Sequence, residues 1–270
     1  MKIKIFASDL DGTLIYENRI SEENLKAIKR IQKIGVLPVF ITGRIHTSAR
    51  FFADRYGLDI PIIGSNGAVV FNDRGELIHY DSIDDSVSLY IAELCDERKL
   101  YYQFYDIDTF YSKSFWYKRL NHMITNDVDP YEFQVSLHIS KNAIDAAIER
   151  GKGITKFVIV DPSGEVEEIL KGKGLAITKS GPETIEVMKD NVSKYNGLKM
   201  LADDLKIDIS QTATIGDYDN DIEMIMNSGF GISMGNALDS VKQVSDYTTD
   251  DLKSDGVAKA IDYMFKRGIL

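Results

Sequence analysis

Over the first 64 residues, short apolar runs alternate with stretches whose apolar positions recur every three or four residues. Residues 3–7, 36–41 and 61–64 are nearly continuous apolar runs and predict strands, while 21–34 and 45–56 carry the helical period. Ser21 with glutamates behind it marks the first helix start, and Gly35 its end. Strands apolar on both faces with helices between them predict a parallel sheet covered on both sides. The pattern then changes: 68–71 and 77–80 flank Asn72-Asp73-Arg74-Gly75, a hairpin signal. Beyond it, 83–187 mix strand patterns (156–160, 175–178) with helical ones (84–99, 142–150). From Asn196 the first rhythm returns: helix to 205, strand 212–215, helix 219–226, strand 230–233 and a last helix 257–266. The expected fold is α/β: a Rossmann-like parallel-sheet core, residues 1–82 and 188–270, interrupted by an inserted α+β domain, residues 83–187.

Composition narrows the class. Of 270 residues, 44% are hydrophobic and 27% charged, enough apolar surface for a packed core. No apolar run is long enough to span a bilayer, and the short first run meets acids too soon for a secretory signal, so no membrane role is expected. The single cysteine, Cys95, cannot form an internal disulfide and sits in a helical pattern, which points to a structural thiol and a reducing, cytoplasmic setting. A formal charge of −10, with the basic residues dispersed among acids, argues against nucleic acid as a partner. It also means that an anionic substrate would need local positive charge.

Candidate chemistry lies at predicted strand ends. Asp9-Leu10-Asp11-Gly12-Thr13 follows the first strand directly. Residues i and i+2 on a strand point the same way, so two carboxylates leave its C-terminal end together, where open α/β sheets bind ligands. By itself this could be a turn that caps a strand. Gly216-Asp217-Tyr218-Asp219-Asn220-Asp221 repeats the arrangement after another apolar strand, and helix capping accounts for one of its acids, not for three and an asparagine. Thr42-Gly43-Arg44 offers a hydroxyl and backbone N–H groups where a strand turns into a helix, a place suited to phosphate but also a common turn. Lys194, a surface lysine by default, gains interest only from its place in this series.

The ordered set Asp9 to Leu14, Thr42-Gly43-Arg44, Lys194 and Gly216 to Asp221 resembles the haloacid dehalogenase superfamily, and more narrowly its Cof-type sugar-phosphatase branch. Gly64-Ser65-Asn66-Gly67-Ala68 and Asp255-Gly256-Val257-Ala258 fit the same pattern, and the resemblance spans essentially the whole chain. One departure is Tyr195, where the family usually has glycine after the motif lysine. The resemblance implies a cap inserted between the second and third motifs, and a Mg²⁺-dependent phosphatase acting on small phosphate monoesters, either sugar phosphates or phosphorylated cofactors. It implies Asp9 as the nucleophile that becomes an aspartyl-phosphate. Asp11 is the implied acid and then base, and its pKa should lie above that of free aspartate. Mg²⁺ would be held by the side chains of Asp9 and Asp217 and the backbone carbonyl of Asp11, with Asp221 behind them. The Leu10 N–H, Thr42, Gly43, Lys194 and Asn220 would bind phosphate.

A phosphomutase of the same superfamily, or a catalytically silent phosphate-sensing module, are the competing readings. A dehalogenase has no need of Asp11, and a receiver-type signalling domain has no place for the inserted cap. The nine aromatics among residues 101–117 are expected mainly to pack a small sheet. The four histidines have no metal-ligand spacing, and nothing in the chain fixes its oligomeric state.

Overall fold

A computed structural model describes residues 2–113 and 135–270. The chain opens with strand β1 (Ile5–Ser8), the small hairpin β2 (Ile15–Tyr16) and β3 (Arg19–Ile20), and helix α1 (Glu22–Lys33). Strand β4 (Leu37–Ile41), helix α2 (His46–Arg55), β5 (Ile62–Gly64), and the hairpin β6 (Val69–Phe71) and β7 (Leu77–Tyr80) follow. A second group comprises α3 (Asp85–Glu97), β8 (Tyr102–Tyr105), β9 (Thr109–Ser112), β10 (Ser136–Ile139), α4 (Ala143–Arg150), β11 (Lys156–Val160), α5 (Glu165–Leu170), β12 (Leu175–Gly181) and β13 (Thr184–Lys189). The chain then forms α6 (Lys194–Asp204), β14 (Thr212–Gly216), α7 (Ile222–Asn227), β15 (Phe230–Ser233), α8 (Asp239–Val244), β16 (Tyr247–Thr248) and α9 (Gly256–Lys266).

The larger sheet has the order β16-β15-β14-β1-β4-β5-β6-β7. It is parallel from β16 to β5 and ends in the antiparallel hairpin. From β1 the chain builds outward through β4 and β5, and after the second group it returns on the other side through β14. The order therefore reverses between β1 and β14, with Ser8 beside Ile215. Crevices beyond the strand ends at such a reversal are where doubly wound sheets take ligands. Both faces of the sheet are covered, so Ile5, Phe6, Ala7, Phe40, Ile41, Ile62, Ile63, Ala213 and Ile215 are almost wholly buried. Each such large side chain withdrawn from water contributes about 1.5–3 kcal/mol before entropy is counted. Helix α1 turns Ala27, Ile28 and Ile31 onto this core, and its Ser21 cap accepts from the Asn24 N–H at 3.1 Å.

The second sheet, β10-β9-β8-β11-β13-β12, is mixed, with a core of its own. Phe104 stacks on Tyr111 with centroids 5.1 Å apart, and Phe157 and Tyr102 pack beside them, as expected of the aromatic-rich stretch. Phe115, Trp116, Tyr117 and His122 lie outside the described residues. Cys95 is buried in α3, where burial pushes its thiol up to about 12, an inert structural thiol. His46 stacks on Phe71 and His79 meets Asp81.

Three local expectations shift. The helix expected from Asn196 begins at Lys194, because Ser193 supplies the cap, its Oγ accepting from the Asn196 N–H. The segment 219–226 starts as a tight turn at Asp219–Asp221 before α7. Strand β12 runs on to Gly181, drawn out by its pairing with β13.

Candidate active site

The end of β1 and the end of β14 lie side by side, and the turns beyond them interlock. Gly12 has φ of +80°, a left-handed conformation that favours glycine. A Cβ there would lie 2.3 Å from an oxygen of Asp217. Thr13 Oγ1 donates to Asp217 Oδ1 at 2.7 Å, and Asn236 Nδ2 to the Gly12 carbonyl at 2.8 Å. Asp217 is thus pressed against the first turn by contacts that only a small residue at 12 permits. Leu10 is buried in the core, which leaves its backbone as the part able to face the cleft.

Asp221 ties the second turn to itself. Its Oδ2 accepts from the backbone N–H groups of Asp217 and Tyr218 at 2.8 and 3.0 Å, and its Oδ1 from Lys194 Nζ at 2.6 Å. Lys194, only 1% exposed, also donates to Asp9 Oδ1 at 2.8 Å. One lysine, set in the first turn of α6, therefore bridges acids from both halves of the core. Carboxylate oxygens of Asp9, Asp217 and Asp221 lie within 4.8 Å of one another. Burial, then repulsion from Asp221, pushes the Asp217 carboxyl up to about 7. Asp9 is raised by the same causes, against the pull of Lys194, and Lys194 is held charged by the two acids although burial opposes it.

Asp11 behaves differently from expectation. Its carboxylate turns away from the other acids into the fork of Arg44, with Nε to Oδ2 at 2.6 Å and Nη2 to Oδ1 at 2.5 Å. Desolvation in the cleft works toward a higher pKa. The Arg44 charge and its two hydrogen bonds outweigh it and hold Asp11 below the usual carboxylate range. The expected upward shift is overturned, because the nearest charge is a guanidinium rather than another acid.

The remaining sequence candidates converge on the same cleft, a cavity of about 300 Å³ whose lining includes Thr42, Gly43, Arg44 and Asn220. Thr42 Oγ1 accepts from the Arg44 N–H at 3.1 Å, which leaves its own proton for a ligand. Asn220 Nδ2 donates to Asn66 Oδ1 at 3.1 Å. Sequence reasoning missed Tyr105, Lys156, Ser180 and Glu186, which reach the cleft from the second sheet. Their signal was weak: each sits in a β pattern at a spacing that carries no chemistry of its own. Arg44 and Thr13 stood inside the quoted motifs but were given no role.

A family model described as haloacid dehalogenase-like hydrolase matches residues 6–261. The chain belongs to this family. It is 32% identical to a 5-amino-6-(5-phospho-D-ribitylamino)uracil phosphatase from Bacillus subtilis, over 96% of this chain and 94% of that one. It is 26% identical to a phosphoglycolate phosphatase from Methanosarcina acetivorans, over 99% of both. The fold matches that of a haloacid dehalogenase-like hydrolase from B. subtilis with a TM-score of 0.86, at 24% identity, covering 97% of this chain and 100% of that one.

Members of this hydrolase family generally work with a divalent metal, and the acid cluster suits one. Three buried or half-buried carboxylates face one ammonium, so two negative charges are left when all are ionised, and their oxygens are hard donors. The Asp11 carboxylate is not in this cluster. No helix among the described residues is long and apolar enough to cross a membrane.

Proposed function

We propose that this phosphoric monoester hydrolase acts through an aspartyl-phosphate on Asp9. The observation that carries the reading is the bridge from Lys194 to Asp9 and Asp221, with Asp217 alongside, which gathers acids from both ends of the chain at one sheet edge. Asp9 is the group that would attack phosphorus, so that one carboxylate carries the phosphoryl group between two displacements. Lys194, the Thr42 hydroxyl, the Gly43 and Leu10 N–H groups and the Asn220 amide would hold the non-bridging oxygens. Asp11 would give its proton to the departing alcohol and take one from the incoming water. Mg²⁺ would be held by the Asp9 and Asp217 carboxylates and the Asp11 carbonyl, with Asp221 behind; bound there it would supply the positive charge that an anionic substrate needs at an acidic site.

Sugar phosphates or phosphorylated cofactors are the substrate class, in keeping with the ribityl phosphate named for the B. subtilis relative. Residues 83–187 would form the cap over a core of 1–82 and 188–270, which the separate second sheet and its own apolar core support. A reducing cytoplasm remains the fitting compartment for the buried, unpaired Cys95. The deciding measurement is phosphate release from a panel of monoesters, with no activating bisphosphate, alongside acid-quenched mass spectrometry of the active-site peptide. The wild type is expected to turn over and to carry one phosphoryl group on Asp9, and Asp9→Asn to lose at least about a thousandfold in kcat with an unchanged circular dichroism spectrum. An Asp9→Asn protein that still turned over near the wild-type rate would remove Asp9 as the nucleophile.

A further inference from the structure

Two charged side chains of the second sheet sit almost out of solvent at its contact with the core. Lys156 on β11 and Glu186 on β13 pair at 3.0 Å, with side chains 4% and 9% exposed. Desolvating an ion pair costs about as much as the pairing returns, so stability alone is a poor reason for it. Each partner also makes a contact that crosses to the core. Lys156 Nζ donates to the carbonyl of Gly43, in the turn where phosphate would sit. Glu186 accepts from Asn66 Nδ2, and Asn66 Oδ1 in turn accepts from Asn220 Nδ2. Asn66 is itself held, 1% exposed and with φ of 56°, by its N–H to the Thr42 carbonyl. Gly43 closes the circuit: a Cβ there would come within 3.0 Å of Asn66 Oδ1 and 3.3 Å of Glu186 Oε2.

We infer that Lys156 and Glu186 are positioning residues for phosphoryl transfer, through which the seated second sheet aims the Thr42–Gly43 turn and the Asn220 amide. The inference rests on the phosphatase reading of the cleft and adds a route by which the inserted sheet acts on it. Lys156 fixes the peptide after Gly43 by holding its carbonyl. Glu186 fixes the plane of the Asn220 amide by holding Asn66, whose carbonyl oxygen Asn220 uses. Neither contact depends on the identity of the leaving group. Small errors in such positioning are costly to rate, because phosphoryl transfer depends mainly on geometry and charge placement.

The test compares Glu186→Gln, Lys156→Met, the double variant and Lys156→Arg. It measures kcat and KM on three monoesters with unlike leaving groups, inhibition by inorganic phosphate, and amide hydrogen exchange without substrate. Each of the first two singles is expected to lose roughly tenfold or more in kcat, by a similar factor for every leaving group, with phosphate inhibition weakened. The double variant should be no worse than the poorer single, since both act on one network. Lys156→Arg, which can still donate to Gly43 and Glu186, should recover part of the loss. The Ser65 and Asn66 N–H groups, which donate to the Arg44 and Thr42 carbonyls, should exchange faster in the first two singles while the amides of β1 and β14 do not. A loss confined to one leaving group would make the pair a substrate contact and overturn the inference, as would unchanged kcat or faster exchange across the whole core. Exchange needs no turnover. A wild type inactive on every ester would therefore count against the reaction, while local exchange would still decide the coupling.

Discussion

Two residues apart, Asp9 and Asp11 meet opposite electrostatics. Asp9 is raised by burial and neighbouring acids, while Asp11 is held low by the Arg44 fork. Catalytic carboxylates with separate roles need separated proton affinities, but a nucleophile must be ionised and an acid protonated, which is the reverse of this ordering. A phosphate dianion in the cleft would compete for the Arg44 guanidinium and release its hold on Asp11. Positive charge beside Asp9 would bring that carboxyl down. Arg44→Gln should therefore raise the proton affinity of Asp11. In pH–rate profiles at saturating Mg²⁺, the alkaline limb of kcat/KM is expected to move to higher pH, with a lower plateau where Arg44 also positions Asp11. A limb that stays in place would mean that Asp11 is not the acid or that Arg44 does not set its charge. Asp9 and Asp217 could be placed from sequence because each lies next to a strand end, whereas Lys194 stood out only by its place in the motif series, its helix being expected from Asn196. The proton affinity of Asp11 could not, because its partner is 33 positions away and meets it only in the fold.

Among elements, α6 does the most for the site, since its first residue is the bridging lysine. Its cap is Ser193. Ser193→Ala should cost about 1 kcal/mol, seen as a fall of roughly 2–4 °C in Tm, and should also raise KM as the first turn that carries Lys194 loosens. Ser21→Ala on α1, capped in the same way but away from the cleft, is the control: it should lower Tm similarly and leave KM alone. Equal KM effects from both would detach Lys194 from its cap. The core strands were legible because a parallel strand buried on both faces reads as an unbroken apolar run, and α1 because cap and period agree. Strands such as β8, β10 and β13 were not, for they interleave Gln103, His138 and Glu186 with aromatics and aliphatics, and their pairing is set by distant partners. The six-residue helices α5 and α8 are too short for a period to declare itself.

At the scale of the molecule, the formal charge of −10 meets a site that concentrates acid still further. Such a cluster destabilises the folded chain through desolvation and its own repulsion, and Asp217, pushed up to about 7 by burial first and then by Asp221, registers both. A divalent ion that binds these acids in the folded state and not in the unfolded chain must stabilise the fold by mass action, by about 2.7 kcal/mol at a hundredfold excess over Kd. Added Mg²⁺ should therefore raise Tm of the chelator-treated protein by roughly 5–10 °C, and Asp217→Asn should abolish most of that rise. The same ion should restore the turnover that a strong chelator removes. The thermal readout is independent of chemistry, so it separates a site that binds metal from one that merely needs it for turnover. A Tm indifferent to Mg²⁺ in the wild type would leave the three acids without a counter-charge beyond Lys194, and an anionic substrate would then have to approach Asp9 against two uncompensated negative charges, with only the cleft's own basic side chains to draw it in.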